Sequence, residues 1–161
     1  MNILSYSPKQ TREIAAGLAP QLKSGDVLAL AGNLGSGKTA FVKGLAAGLG
    51  CPKNKVLSPT FVLMRQYKGR LTLNHFDLYR LKNIHQLEQI GYEEYFYSDG
   101  ITAIEWADKI EECLPEEYLR VDFKILDENK RRLNFSSYPK NKFAKAIKTV
   151  KKTYADNLRK T

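Results

Sequence analysis

The chain alternates short unbroken apolar runs with stretches in which apolar residues recur every three or four positions. Val27 to Ala31 is such a run and predicts a buried strand; Ile101 to Ile104 predicts a second. Phe41, Val42, Leu45, Ala46 and Leu49 fall at helical spacing, and Gly50 supplies the stop. An earlier helix starts at Ser7, an N-cap followed by Pro8 at the first helical position and Gln10 at the third. Ile14, Leu18 and Leu22 mark its inner face until Ser24, Gly25 and Asp26 turn the chain. Val62 to Tyr67 and Arg70 to Phe76, joined at Lys68 and Gly69, read as a β-hairpin. Tyr118 to Leu126 and Arg131 to Ser137 read as another, around residues 127–130. Ile84, Leu87 and Ile90 suggest a short helix ended by Gly91, before an aromatic and acidic patch from Tyr92 to Tyr97. Asp108 to Leu114 suggests a further short helix closed by Pro115. Past Pro139, Phe143, Ile147, Val150, Tyr154 and Leu158 share one helical face and lysines fill the other.

Between the first apolar run and the helix that follows it, residues 32–39 read Gly-Asn-Leu-Gly-Ser-Gly-Lys-Thr. This octet satisfies the phosphate-binding loop pattern in the strand–loop–helix setting that its chemistry requires. Gly32, Gly35 and Gly37 open backbone conformations closed to residues with a Cβ and let the chain approach phosphate oxygens. Main-chain N–H groups from Asn33 to Ala40 then face a polyphosphate, backed by the positive end of a helix. Lys38 is placed to neutralise the β- and γ-phosphates, and the Thr39 hydroxyl to ligate Mg²⁺. The fold expected is α/β and P-loop NTPase-like: a mixed, mainly parallel sheet flanked by helices, with antiparallel hairpins and a basic C-terminal helix. Residues 1–139 form the expected ATPase domain and 140–161 the basic amphipathic tail.

Composition narrows the setting. A chain of 161 residues with 43% hydrophobic and 27% charged residues is one globular domain. Its longest apolar runs fall well short of the ~20 residues that cross a bilayer, and the first residues lack the pattern of a secretory signal. Cys51 and Cys113 fit no metal spacing and read as reduced thiols, so a cytoplasmic location and no membrane contact are expected. The net charge of +9 is uneven: residues 140–161 hold eight bases and one acid, leaving the rest at +2. Clustered lysines of this kind favour phosphate backbones, which makes nucleic-acid contact through the tail an expectation beside plain packing of its apolar stripe.

A phosphate loop binds; hydrolysis also needs metal ligation and an oriented water. Glu105, closing the Ile101 run, and Asp77, closing the strand through Phe76, are the candidate acids. Strand position alone leaves them competing for one role. His75 reads as a structural donor, and Trp106 as either a nucleotide neighbour or a core side chain. Thr60 is a candidate for the γ-phosphate; no arginine inside the loop reads as a finger, and Arg80, Arg131 and Arg132 are the candidates to reach in from elsewhere. A small-molecule or nucleoside kinase, or a nucleic-acid-binding module that holds ATP, are the alternatives in other functional classes.

Ser58-Pro-Thr-Phe61, His75-Phe-Asp-Leu-Tyr-Arg80 and Glu105-Trp106, in this order after the glycine loop, closely resemble the bacterial TsaE (YjeE) family from about Tyr6 to Ser137. The resemblance implies a small Mg²⁺-dependent ATPase required for N6-threonylcarbamoyladenosine (t6A) at position 37 of tRNA, acting with the proteins TsaD and TsaB. It carries Lys38 and its loop onto the phosphate cradle, Thr39 and Glu105 onto the metal site, and Asp77 onto a second metal or water-positioning role. Thr60 falls in a segment resembling a switch loop, and Thr11 matches loosely a threonine near the adenine. Glu105-Trp106 is followed by Ala107 where the family often has Pro, and the basic tail runs past the family's usual end; with tRNA implied by the resemblance, tRNA contact through that tail is an expectation.

Overall fold

The computed structural model describes residues 1–52 and 61–157, with side chains as far as Tyr154. Ser58, Pro59 and Thr60 of the switch-like segment, and Leu158 of the tail, lie outside the described residues. Seven strands form one sheet in the order β1-β7-β6-β2-β5-β4-β3. These are β1 (Asn2–Ser5), β2 (Val27–Gly32), β3 (Met64–Tyr67), β4 (Leu73–Asp77), β5 (Ile101–Glu105), β6 (Tyr118–Ile125) and β7 (Arg131–Tyr138). The central four, β6, β2, β5 and β4, are mutually parallel, while β3, β7 and β1 join by antiparallel pairing. The expected mixed sheet is therefore parallel in its core and antiparallel at its margins.

Both hairpins predicted from alternation are present, β3 with β4 and β6 with β7. The first has a longer connection than expected, because strand pairing resumes only at Leu73. Two elements escaped the sequence reading. β1 is a four-residue edge strand held by Ile3 opposite Leu133, too short to show a period. The aromatic-acidic patch is a helix over Tyr92–Phe96, which buries Phe96 and leaves Glu93 and Glu94 exposed.

Helices cover both faces. On one lie α1 (Pro8–Leu18), α2 (Lys38–Gly48) and α5 (Ala144–Asn157), packed on Leu28, Leu30, Val121 and Leu133. On the other lie α3 (Ile84–Gln89), α4 (Tyr92–Phe96) and a 3₁₀ turn (Ala107–Cys113), packed on Val27, Ala29, Phe76 and Ile104. Adjacent residues of β2 serve opposite cores, which is why that strand is apolar without alternation. The α1 start follows its sequence signals: Ser7 Oγ accepts from the Gln10 N–H, and Gln10 Oε1 accepts from the Tyr6 N–H. Phe143, Ile147, Val150 and Tyr154 bury the predicted stripe of the tail in the same core as α1 and α2.

The α1–α2 contact sets how closely the glycine loop sits to the rest of that layer. A Cβ on Gly44 would lie 2.2 Å from the Arg12 carbonyl oxygen, so the helices touch backbone to backbone there. Gly44→Ala forces them apart and is expected to cost about 1–3 kcal/mol, as overpacking of a closed contact does. For a chain of this size that lowers the melting temperature by roughly 2–4 °C per kcal/mol. A scanning calorimetry trace with an unchanged midpoint would contradict the close contact.

Candidate functional site

The site forms where β2, β4 and β5 end on the α2 face. β2 finishes at Gly32, whose φ of 145° and surroundings exclude a side chain: a Cβ would lie 2.6 Å from the Phe123 carbonyl oxygen. The loop is closed by the Ser36 N–H donating to the Asn33 carbonyl at 3.1 Å. Gly37 caps α2 without a side-chain acceptor. The N–H groups of Lys38, Thr39 and Ala40 thus have no partner within the helix. These residues line a cavity of about 260 Å³ together with Leu34, Gly35, Ser36, Gly37, Asp77, Tyr79, Glu105 and Trp106.

Lys38 doubles back over its own loop. Its Nζ donates to the carbonyls of Gly32 at 2.7 Å and Asn33 at 3.0 Å, and lies 3.9 Å from the Trp106 ring centre. Burial lowers its pKa from the ordinary lysine value; Glu105, Asp108 and Asp77 oppose that by favouring the cation. Trp106 reaches this position through a left-handed backbone (φ 62°), a conformation costing on the order of 1–3 kcal/mol outside glycine. The same bend sets its ring 5.2 Å from that of Tyr79.

The two candidate acids do not compete for one place. β4 and β5 are parallel with Asp77 in register with Glu105, so the carboxylates end adjacent strands side by side on the α2 face. Both are buried. Glu105 Oε2 accepts from the Thr39 hydroxyl at 2.8 Å, and Oε1 lies 2.8 Å from His75 Nε2. A carboxylate only accepts, so this geometry puts the histidine proton on Nε2. His75 is fully buried, and among the described residues its Nδ1 has no hydrogen-bond partner. Asp77 Oδ1 accepts from the Tyr79 N–H at 3.1 Å, which orients its carboxylate at the strand end.

The remaining sequence candidates divide. Thr11 is buried in α1 beside the loop, its Cγ2 3.8 Å from where a Gly37 Cβ would stand, and its hydroxyl is 2.7 Å from Ser5 Oγ. Of the arginines, Arg131 reaches the loop, its guanidinium donating to the Gly35 carbonyl at 3.3 Å. Arg132 is exposed, opposite Leu4 and Lys124 in the sheet. Arg80 stacks on the exposed Phe61 ring at 4.3 Å. His75 as the partner of Glu105 and Tyr79 as a wall of the cavity were not anticipated. The β4 alternation held the signal for the first, since Leu73, His75 and Asp77 share one parity and so one face.

The donors suit a hard divalent cation. Among the described residues no three His, Cys, Asp or Glu side chains cluster to hold a metal alone. Thr39, Glu105 and Asp77 supply oxygen at one edge of the cavity, and Mg²⁺ characteristically takes one or two carboxylates and completes its shell with phosphate and water.

A glycine loop leading into a helix at the end of a parallel strand, with acids closing the two neighbouring strands, defines a P-loop-type fold, the class built to hold nucleotide phosphates. The family model described as threonylcarbamoyl adenosine biosynthesis protein TsaE matches residues 5–133. The chain belongs to the TsaE family, and with it to tRNA threonylcarbamoyladenosine biosynthesis. It is 42% identical over 134 residues to the TsaE protein of Bacillus subtilis (strain 168), covering 83% of each chain. It is 38% identical over 133 residues to that of Treponema pallidum (strain Nichols), covering 83% of this chain and 98% of the relative. The crystal structure of Bacillus subtilis YdiB superposes with a TM-score of 0.75 at 32% identity, covering 95% of both chains. The family match ends at Leu133, before α5 begins. No helix among the described residues is long and apolar enough to cross a membrane.

Proposed function

We propose that the chain binds ATP with Mg²⁺ and hydrolyses it slowly, and that the partner proteins TsaD and TsaB accelerate this hydrolysis during t6A formation. The observation that carries the reading is the contact of Thr39 with Glu105, with Asp77 in register beside it, at the mouth of the glycine loop. Lys38 exchanges the carbonyls of Gly32 and Asn33 for β- and γ-phosphate oxygens, and the loop and helix N–H groups take the remaining phosphate charge. Thr39 and Glu105 hold the metal, and Asp77 accepts a hydrogen bond from the attacking water. Mg²⁺ held by Thr39 and Glu105 would supply positive charge against the phosphate oxygens as negative charge develops there. His75 keeps Glu105 aimed at Thr39 by occupying its other oxygen.

Among the described residues no arginine lines the cavity. Arg131, which contacts the loop at Gly35, is also held by the carbonyls of Asp127 and Glu128. A cation supplied in trans is worth about 10³–10⁵ in comparable enzymes. The exposed Leu34, Phe61 and Tyr79 near the site offer apolar surface for the protein that brings it. Phosphate release measured alone and with TsaD–TsaB is expected to rise at least about a hundredfold, the lower end of what one positioned electrostatic group supplies. Rapid hydrolysis by the isolated chain, unaltered by the partners, would overturn the coupling.

A further inference from the structure

The sheet separates charge. On the outer surface of α1, α2 and α5, Lys9, Arg12, Lys43, Lys145, Lys148 and Lys152 are exposed, with Glu13 the acid among the described side chains there. Across the sheet, α3, α4 and the 3₁₀ turn expose Glu88, Glu93, Glu94, Asp108, Glu111 and Glu112 against Lys109. The sequence shows the charge of the tail; the fold joins it to that of α1 and α2.

The basic surface is continuous and shaped. Tyr154 of α5 lies against Gly17 of α1, where a Cβ would come within 3.4 Å of its ring. Burial of Phe143, Ile147 and Val150 leaves Lys145, Lys148 and Lys152 along the outer face, about one cation per 5.4 Å turn. Between α1 and α2 runs a groove of about 450 Å³, with Ala16, Gly44 and Ala47 in its lining and Lys9, Arg12, Lys43 and one carboxylate, Glu13, as its walls. Of these cations only Lys9 has an acidic partner among the described residues, Glu13 at 3.9 Å. Cations spaced along the α5 ridge, with the unpaired Arg12 and Lys43 of the groove, fit the phosphodiester backbone of a structured RNA.

We infer that the α1–α2–α5 surface is an RNA-binding face that contacts backbone phosphates, with the acidic face turned away and setting the orientation. The inference rests on surface charge and is independent of the ATPase reading. The test is fluorescence anisotropy of the full chain with a labelled tRNA transcript at 50 and 200 mM KCl, using substitutions at exposed positions that leave the α5 stripe packed. Wild type is expected to bind with a log–log salt slope of roughly −3 to −5, as four to six phosphate contacts give. The triple variant Lys145→Glu, Lys148→Glu, Lys152→Glu, and separately Arg12→Glu, are expected to weaken binding at least about tenfold and about threefold, with unchanged melting curves. Glu93→Gln with Glu94→Gln on the acidic face is expected to stay within twofold of wild type. Equal affinity of wild type and triple variant overturns the inference. So does binding to vesicles of phosphatidylserine and phosphatidylcholine without binding to tRNA. The triple variant is expected to retain the phosphate release of wild type, so a loss in the RNA assay alone is distinct from a failure of the ATPase reading.

Discussion

Lys38→Ala is expected to lose nucleotide binding and keep its fold. The ammonium group is buried at the base of the loop, where it donates to the Gly32 and Asn33 carbonyls. Those contacts are replaceable by phosphate oxygens, which bear full negative charge and make stronger bonds to a cation. Hydrogen bonds to charged groups contribute about 1.5–3 kcal/mol each, so removing the amine weakens ATP by about 3 kcal/mol, roughly a hundredfold. The fold loses nothing comparable. Burial holds the Lys38 pKa below its unfolded value, so the unfolded chain binds the proton more tightly. Stability therefore rises with pH between the folded and unfolded values, and the charged lysine is a cost to folding below that window. Lys38→Ala should melt no lower than wild type at neutral pH and lack that alkaline gain. Calorimetry that found wild-type ATP affinity in the variant would remove the loop from the binding site.

The second large effect is on turnover. Glu105→Gln is expected to retain ATP and lower hydrolysis about 10²–10³-fold, the loss seen when one preorganised electrostatic group is removed. Both Glu105 oxygens accept hydrogen bonds in this site, from Thr39 and from His75. An amide of the same shape keeps one acceptor and turns an NH₂ group toward the other partner. It also removes the negative charge proposed to hold the metal, while the loop amides and Lys38 proposed to hold the phosphates stay in place. Single-turnover phosphate release, alongside equilibrium nucleotide binding, separates the two steps. Wild-type hydrolysis in the variant would exclude Glu105 from the metal site. Reduced ATP affinity with an unchanged rate constant would assign it to binding alone.

The legible and illegible parts of this protein differ in the range of the interactions behind them. The Ser7 cap, the α2 spacing and the buried stripe of α5 each depend on residues within a few positions of one another, and each was readable. β1 was not, since four residues at a sheet edge carry no period and their strand identity comes from β7. Arg131 and Arg132 are neighbours in sequence and chemically alike. Only the strand's pleat and the β6–β7 turn decide that Arg131 meets the loop.

The amino-acid order by itself determined the glycine loop, its strand and helix, both strand-end acids and the family, because these are local patterns of residue type and spacing. The tertiary structure decided which groups meet: Asp77 beside Glu105, Glu105 between Thr39 and His75, and three helices' cations on one surface. Such meetings depend on strand order and register. Those are settled by the packing of residues far apart in the chain, which no local pattern records.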